Sequence, residues 1–343
     1  MRGPDSGHHG QQDSYRHSSP AVSILSSGFA TGSCFVPSEE VDRAFGMSIG
    51  KLRHRAGIES VRYAGEAEDE STLAAAALQS AFADAKCSSQ EIDWLIATSE
   101  THHDYPSLAA RLHAELAFRE DCAALDIGGA CLGFLNALAV AQSLMRSGQA
   151  RTIAIATADV HSRTLIPGRV AGEFGGLFGD GASAFLLRSD NGSGPPAGSY
   201  QLGEFFFGCA GQYASAIRVS DRKDGALAVR FDGDALSRAA ISRLELVMAE
   251  IERRSGIARA DVCGFATHQP NPRLVTLLAK QLHVPREFFP SIARTCGNLG
   301  SSTCGAALHA SLRFLSPAHL RTIFLASLGP GLVYGGGWLA ARA

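Results

Sequence analysis

The stretch at 122–144 reads CAALDIGGACLGFLNALAVAQSL. A short apolar run at 123–125 leads into Ile127-Gly128-Gly129-Ala130, and an Ala/Leu-rich run continues from Leu132 to Met145. This is the pattern of a buried strand, a tight turn that glycine permits, and a helix. The helical run is apolar on nearly every face, so it belongs in the middle of the protein. The pattern recurs about 170 residues later as ARTCGNLGSSTCGAALHASLRFL, from Ala293. Three more segments recur in the same order. Asp93-Trp94-Leu95-Ile96-Ala97-Thr98 is echoed by Asp261-Val262-Cys263-Gly264-Phe265-Ala266-Thr267. Arg151-Thr152-Ile153-Ala154-Ile155-Ala156 is echoed by Arg321-Thr322-Ile323-Phe324-Leu325-Ala326, and Phe178-Gly179-Asp180-Gly181-Ala182 by Tyr334-Gly335-Gly336-Gly337-Trp338. The chain is a duplicated unit.

Each unit alternates short apolar runs, at 94–97, 152–156 and 182–187, with longer helix-forming runs. Two such halves with buried central helices predict a layered α/β/α/β/α sandwich. A length of 343 residues suits two fused halves. The Gly/Pro/Ser-rich DNGSGPPAGSY at 190–200 marks the boundary, giving an N-terminal half at 21–190 and a C-terminal half at 201–343. Residues 1–20 are polar, with no apolar signal core, and read as a disordered tail.

With 45% apolar and 19% charged residues and a net charge of -2, a basic nucleic-acid-binding face is not expected. No apolar stretch approaches the roughly 18 residues of a membrane span. None of the eight cysteines forms a C-x-x-C pair, so no metal site is expected. Reduced thiols and a cytoplasmic location are the expectation, most of the cysteines being core residues.

One cysteine stands apart. Cys131 follows the glycine turn and opens the apolar helix, where free N–H groups favour negative charge. That bias toward thiolate is worth roughly 0.3–1 kcal/mol, so strong activation needs a further group. From this context alone Cys131 reads equally as a buried structural thiol. His268 lies just past an apolar run of the second half, in HQPNPR, where strand ends form sites. Asn298, in GNLGSS, holds the place that mirrors the approach to Cys131. The repeat brings both elbows toward one centre, although an Asn between glycines is also a common left-handed turn residue.

GGACLGF around Cys131, HQPNPR from His268, GNLGSS from Gly297, FGDGASAFLL from Phe178 and RAGIESVR from Arg55 together resemble the motifs of the β-ketoacyl-acyl-carrier-protein synthase III family, within the thiolase superfamily. The resemblance runs from about Ala21 to Ala343 and implies a thiolase-like five-layer sandwich. It implies that Cys131 takes an acyl group from a coenzyme A thioester. Malonyl on an acyl carrier protein then loses CO2, with His268 and Asn298 hydrogen-bonding the thioester carbonyl of the enolate. The product is a 3-oxoacyl chain. Coenzyme A and phosphopantetheine enter as substrates, and no cofactor is implied. The Cys131 N–H is one implied oxyanion donor, completed by the turn Gly329-Pro330-Gly331.

By motif position Tyr105 matches an aromatic residue sent across a homodimer interface, its other reading being a packed loop tyrosine. Arg55 and Arg273 match the substrate entrance, and Arg273 and Lys280 a carrier-docking face; solvated surface charge is the other reading of these cations. The chain departs from the family in four places. Pro330, without an N–H, stands where a second oxyanion donor is usual, although Gly-Pro-Gly also resembles plant-type polyketide synthases. Lys51 replaces a tryptophan that often stacks on adenine. Pro270 replaces an alanine near His268, and Gln281 replaces a second basic residue after Lys280. Two other functions stay open: acyl transfer to an alcohol or amine without decarboxylation, and a silent partner subunit. Phe205, Phe206 and Phe207 read as pocket lining or as core.

Overall fold

The architecture follows from how large and small residues alternate along strands that are buried on both faces. The computed structural model describes residues 20–170, 172–190, 199–222, 226–314 and 322–341. The tail at 1–19 and most of the boundary at 190–200 lie outside them. The first half contains β1 (Val22–Thr31), β2 (Cys34–Pro37), α1 (Ser38–Ala44), β3 (Ser60–Tyr63), α2 (Glu70–Ala85), β4 (Trp94–Thr98) and α3 (Leu108–Glu115). It continues with β5 (Ala123–Asp126), α4 (Gly133–Arg146), β6 (Thr152–Val160), α5 (Glu173–Gly176) and β7 (Asp180–Ser189). The second half contains β8 (Tyr200–Leu202), β9 (Phe206–Cys209), β10 (Ile217–Asp221), β11 (Leu227–Phe231), α6 (Gly233–Ser255) and β12 (Val262–Thr267). It ends with α7 (Pro272–Leu282), α8 (Ala293–Cys296), α9 (Ser302–Phe314), β13 (Thr322–Gly329) and β14 (Val333–Ala341).

The duplication is visible in the pairing. The first half-sheet runs β5-β4-β6-β7-β1 and the second β8-β14-β13-β12, with β9 on β14. In each, a parallel pair (β4 with β6, β12 with β13) is followed by an antiparallel partner (β7, β14). The half-sheets meet along β1 and β8 through Ser23 opposite Gln201 and Ile24 opposite Tyr200. The repeat breaks at one place. The counterpart of β5 is the short helix α8. There the buried Gln269 side chain accepts from Ile292 N and Ala293 N and donates to Pro290 O, so a side chain replaces a strand ladder.

Three apolar clusters separate the five layers. On β6, Ile153 and Ile155 face the central cluster while Ala154, Ala156 and Ala158 face the outer one, so the bulky side fills space against α4 and the small side lets α2 approach. The central cluster holds Phe134, Leu135 and Leu138 of α4 with Ala307 and Leu308 of α9, as their apolar sequences require. Leu73 and Leu78 of α2 and Leu112 of α3 cover the outside of the first half-sheet; Val247 and Ile251 of α6 and Leu278 of α7 cover the second. Phe205 packs on the central cluster, Phe206 on the second outer one, and Phe207 is 43% exposed, so this trio packs around β14.

Phe134 is fully buried, with its ring 4.9 Å from that of Phe185. Phe134→Ala leaves a cavity in the middle layer, and urea denaturation is expected to show a loss of about 3–5 kcal/mol.

Candidate active site

Because β5, β4 and β6 are adjacent and parallel, their C-terminal ends share one edge of the sheet. The residues at and just past those ends are gathered there: Cys131 after β5, Glu100 after β4, and Asp159 and His161 at and beyond the end of β6. His268 comes directly after β12, the equivalent strand of the second half.

Cys131 sits on the expected strand–turn–helix elbow. Gly129 (φ 137°) and Ala130 (φ 49°) both take positive φ, which is costly for alanine and holds the thiol at the head of α4. Ser327 Oγ, from β13, donates to Cys131 O at 2.6 Å and ties the elbow to the second half. In the turn after β13, Gly329 is the residue that backs onto Cys131. A Cβ there would lie 3.5 Å from Cys131 N and 3.3 Å from Gly129 O. Pro330 is exposed and Gly331 takes φ 85°. Of the turn Gly329-Pro330-Gly331, it is Gly329 that the structure sets against the Cys131 amide.

The thiolate bias expected of Cys131 is overturned. Burial pushes the thiol well above its ordinary range, and the Glu100 and Asp159 carboxylates push it further. The helix-start effect, roughly 0.3–1 kcal/mol, is outweighed by desolvation and two like charges.

His268 is buried, donates its backbone N–H to Ala326 O at 3.0 Å, and leaves Nδ1 without a hydrogen-bond partner. Burial lowers its pKa to about 4, so the imidazole is neutral at pH 7. Asn298 is 4% exposed, and its Oδ1 accepts from Gly300 N at 3.0 Å and Thr303 Oγ1 at 3.2 Å. With the carbonyl side committed, Nδ2 is the face of the amide left to donate.

A second group of residues at this edge escapes sequence reasoning. Asp159, with no exposure, accepts from Ser99 Oγ (3.2 Å) and Glu100 N (2.5 Å) in the first half, and from Ser301 N and Ser301 Oγ (both 2.7 Å) in the second. Burial and the Glu100 charge raise its carboxyl to about 6. Glu100 Oε2 lies 3.7 Å from His161 Nε2, with the side chains 15% and 7% exposed. Burial works to raise Glu100, but contact with His161 and Cys131 holds it below the usual carboxylate range. Burial works to lower His161, yet the contact with Glu100 and the Asp159 charge outweigh it and raise the imidazole above its ordinary value. The His161 ring packs 4.4 Å from Phe178. Gly300 (φ 55°) makes room for this cluster, since a Cβ there would meet His161 Cε1 at 2.6 Å and Asp159 Oδ2 at 2.7 Å. The repeat carried the signal: Thr98 mirrors Thr267, so Glu100 falls beside the mirror position of His268.

Cys131, His268 and the Asn298 loop are therefore linked through Glu100 and Asp159. The Glu100 charge acts on both Cys131 and His268, and Ser301 ties the Asn298 loop to Asp159. Arg55 and Arg273 are exposed neighbours. Arg55 lies in the helical turn Leu52–Ala56, and Arg273 Nη1 donates to His54 O of that turn at 3.2 Å. Lys280 is exposed on α7, and Lys51 pairs with Glu173 at 3.7 Å. Tyr105 is 97% exposed and so is not a packed loop tyrosine within this chain. Among the described residues no helix is long and apolar enough to cross a membrane.

Residues 125–204 match the model of the 3-oxoacyl-[acyl-carrier-protein (ACP)] synthase III family, and 253–340 match the model of its C-terminal part. A β-ketoacyl-[acyl-carrier-protein] synthase III of Haemophilus ducreyi is 30% identical over 289 residues, covering 82% of this chain and 88% of that protein. The chain belongs to the 3-oxoacyl-[acyl-carrier-protein] synthase III family. Among solved structures, the synthase III of Pseudomonas aeruginosa PAO1 superimposes with a TM-score of 0.81 at 25% identity, covering 94% of this chain and 99% of that one. A priming β-ketosynthase from the R1128 polyketide pathway shares the fold, with a TM-score of 0.81 at 24% identity, covering 94% and 96%. Within the synthase III fold, the Cys131 elbow and the β12 end that carries His268 fall inside the two matched regions, whereas Glu100 lies before the first.

The neutral burial of His268 predicts a pH signature. Its folded pKa lies below the unfolded value near 6.5, so the unfolded chain binds the extra proton between about 6.5 and 4. Stability from this residue is complete above pH 6.5 and is lost as pH falls toward 4. In urea melts over that window, His268→Gln is expected to remove up to about 3 kcal/mol of the wild-type decline.

Proposed function

We propose that this chain condenses an acyl thioester with malonyl on an acyl carrier protein, releasing CO2 and forming a 3-oxoacyl thioester. The observation that carries the proposal is the pairing of a neutral His268 with an Asn298 whose carbonyl side is already committed. Both offer hydrogen bonds to a thioester oxygen that gains charge, and neither brings a net charge of its own. The acyl group transfers first to Cys131, with the Cys131 N–H facing the developing oxyanion and Gly329 giving the close approach on its other side. The carrier-borne malonyl then enters, loses CO2, and its enolate carbon attacks the acyl-Cys131 carbonyl.

Arg55 and Arg273 stand at the entrance for coenzyme A or the phosphopantetheine arm, with Lys51 where a stacking tryptophan is usual. Arg273 and Lys280, both on α7, give an acidic carrier a basic face. Tyr105, almost fully exposed, reaches a second copy of the chain and bounds its acyl pocket. In sedimentation a dimer is expected, and a monomer with full activity would remove the role given to Tyr105.

The reaction is tested by release of labelled CO2 from malonyl-carrier protein with a panel of acyl-coenzyme A primers. Primer-dependent release is expected, falling about 10²-fold or more in Asn298→Ala. Acylation of Cys131 without CO2 release for any primer would instead make the protein an acyltransferase to an alcohol or amine. Failure of Cys131 to acylate at all would leave the silent-subunit reading.

A further inference from the structure

Helix α6 carries a hollow on a face that the proposed reaction leaves unused. Positions 235, 238, 239, 242 and 243 recur every three or four residues, so they fall on one side of the helix. The side chains there are Ala235, Arg238, Ala239, Ser242 and Arg243. With Tyr213, from the segment between β9 and β10, they line a cavity of about 300 Å³. The two alanines leave the space, while the arginines and the two hydroxyls surround it with hydrogen-bond donors. None of the residues given a part in the reaction lines it.

The positive charge in this hollow is not balanced. Arg243 is half-buried, and its Nε is shielded from solvent with no hydrogen-bond partner. Its guanidinium lies over the Tyr334 ring, 5.9 Å from the centroid. Among the described residues no carboxylate pairs with Arg238 or Arg243. Farther along the same helix, Arg253 and Arg254 both pair with Glu250. Asp232 is turned to cap the helix and accepts from Ala235 N at 2.9 Å. A guanidinium drawn partly out of water without an anion is unfavourable, and a bound anion relieves that cost. The walls are also firm. Ala239 is buried in the cluster that holds Leu332, with Tyr213 and Tyr334 packed against it, and Ala210 N donates to Leu332 O at 2.9 Å. Donors fixed before a ligand arrives lower the entropy cost of binding.

We propose that this hollow is a second binding site of the chain, taking the phosphate group of a small ligand. Arg238 and Arg243 donate to the phosphate oxygens, and Ser242 and Tyr213 add neutral donors. Two guanidinium forks with spare hydroxyls suit the several oxygens of a phosphate better than the pair on a carboxylate. A volume of about 300 Å³ stands at the lower end for small-molecule sites, so a small organic group fits beside the phosphate.

The experiment is isothermal titration of the full chain with inorganic phosphate, with glycerol 3-phosphate and with acetate, all at one ionic strength. No acyl substrate is present, so the outcome is independent of the reaction proposed above. One phosphate per chain is expected, with acetate at least about 10-fold weaker. Arg243→Gln is expected to weaken phosphate binding about 10-fold or more, the loss of a charge-assisted hydrogen bond. Ala235→Leu keeps every charge but fills the hollow, and is expected to abolish binding. Leucine is a strong helix former and position 235 is half-exposed, so this variant serves if Arg243→Gln does not fold. Arg146→Gln, exposed at the end of α4, removes an equal charge and is expected to bind as wild type does. Glycerol 3-phosphate binding tighter than inorganic phosphate identifies a phosphate monoester as the ligand, and the reverse order identifies the free ion. Four results overturn the site: no phosphate binding by wild type, acetate binding as tightly as phosphate, Ala235→Leu binding as wild type does, or Arg146→Gln weakened as much as Arg243→Gln.

Discussion

A buried carboxylate with no solvent to stabilise it is the constraint on which this structure turns. Asp159 has no exposure and survives as a charged or shared-proton group only because donors converge on it. Those donors come from Ser99 and Glu100 in the first half and Ser301 in the second. Moving either loop strands a buried charge, so the loops are locked to each other. Asn298 lies three residues before Ser301, Glu100 is itself a donor, and His161 is two residues past Asp159 on the same chain. The chemistry of both halves is thus referred to one point.

The ladder could not do this alone. Among the described residues the half-sheets share only the short seam between β1 and β8, and their relative placement comes instead from the apolar helices between them. α4 and α9 bury their faces against both half-sheets, and Ser327 of the second half bonds the backbone of Cys131. Packing sets the coarse position, and a few buried hydrogen bonds set the fine one. This division suits a site in which small displacements of reacting groups are costly.

The state of the nucleophile shows competing terms with a clear winner. A helix start favours thiolate by at most about 1 kcal/mol. Burial and two carboxylates act the other way, and they prevail. Glu100 and His161 lie 3.7 Å apart beside the thiol. The same dry environment keeps His268 neutral. One physical cause, removal from water, therefore leads both shifts, raising the thiol and lowering the imidazole.

Periodicity and duplication in the sequence were enough to determine the layered fold, because apolar runs of strand and helix length have few ways to bury themselves. They also pointed to Cys131, His268 and Asn298, since each stands at a strand or helix end in matching parts of the repeat. Glu100 falls beside the mirror position of His268, yet in the polar run Thr98-Ser99-Glu100-Thr101-His102-His103 a glutamate reads as solvated loop charge. Only the order β5-β4-β6 places that loop between the nucleophile and Asp159. Likewise, Gly329 lies against Cys131 while Pro330 is exposed, because of how the β13–β14 turn is seated, which adjacency along the chain does not reveal. Local pattern encodes which elements form, since burial follows composition. Which charges face one another, and hence which protons move, depends on contacts between segments far apart in sequence, and those belong to the tertiary structure.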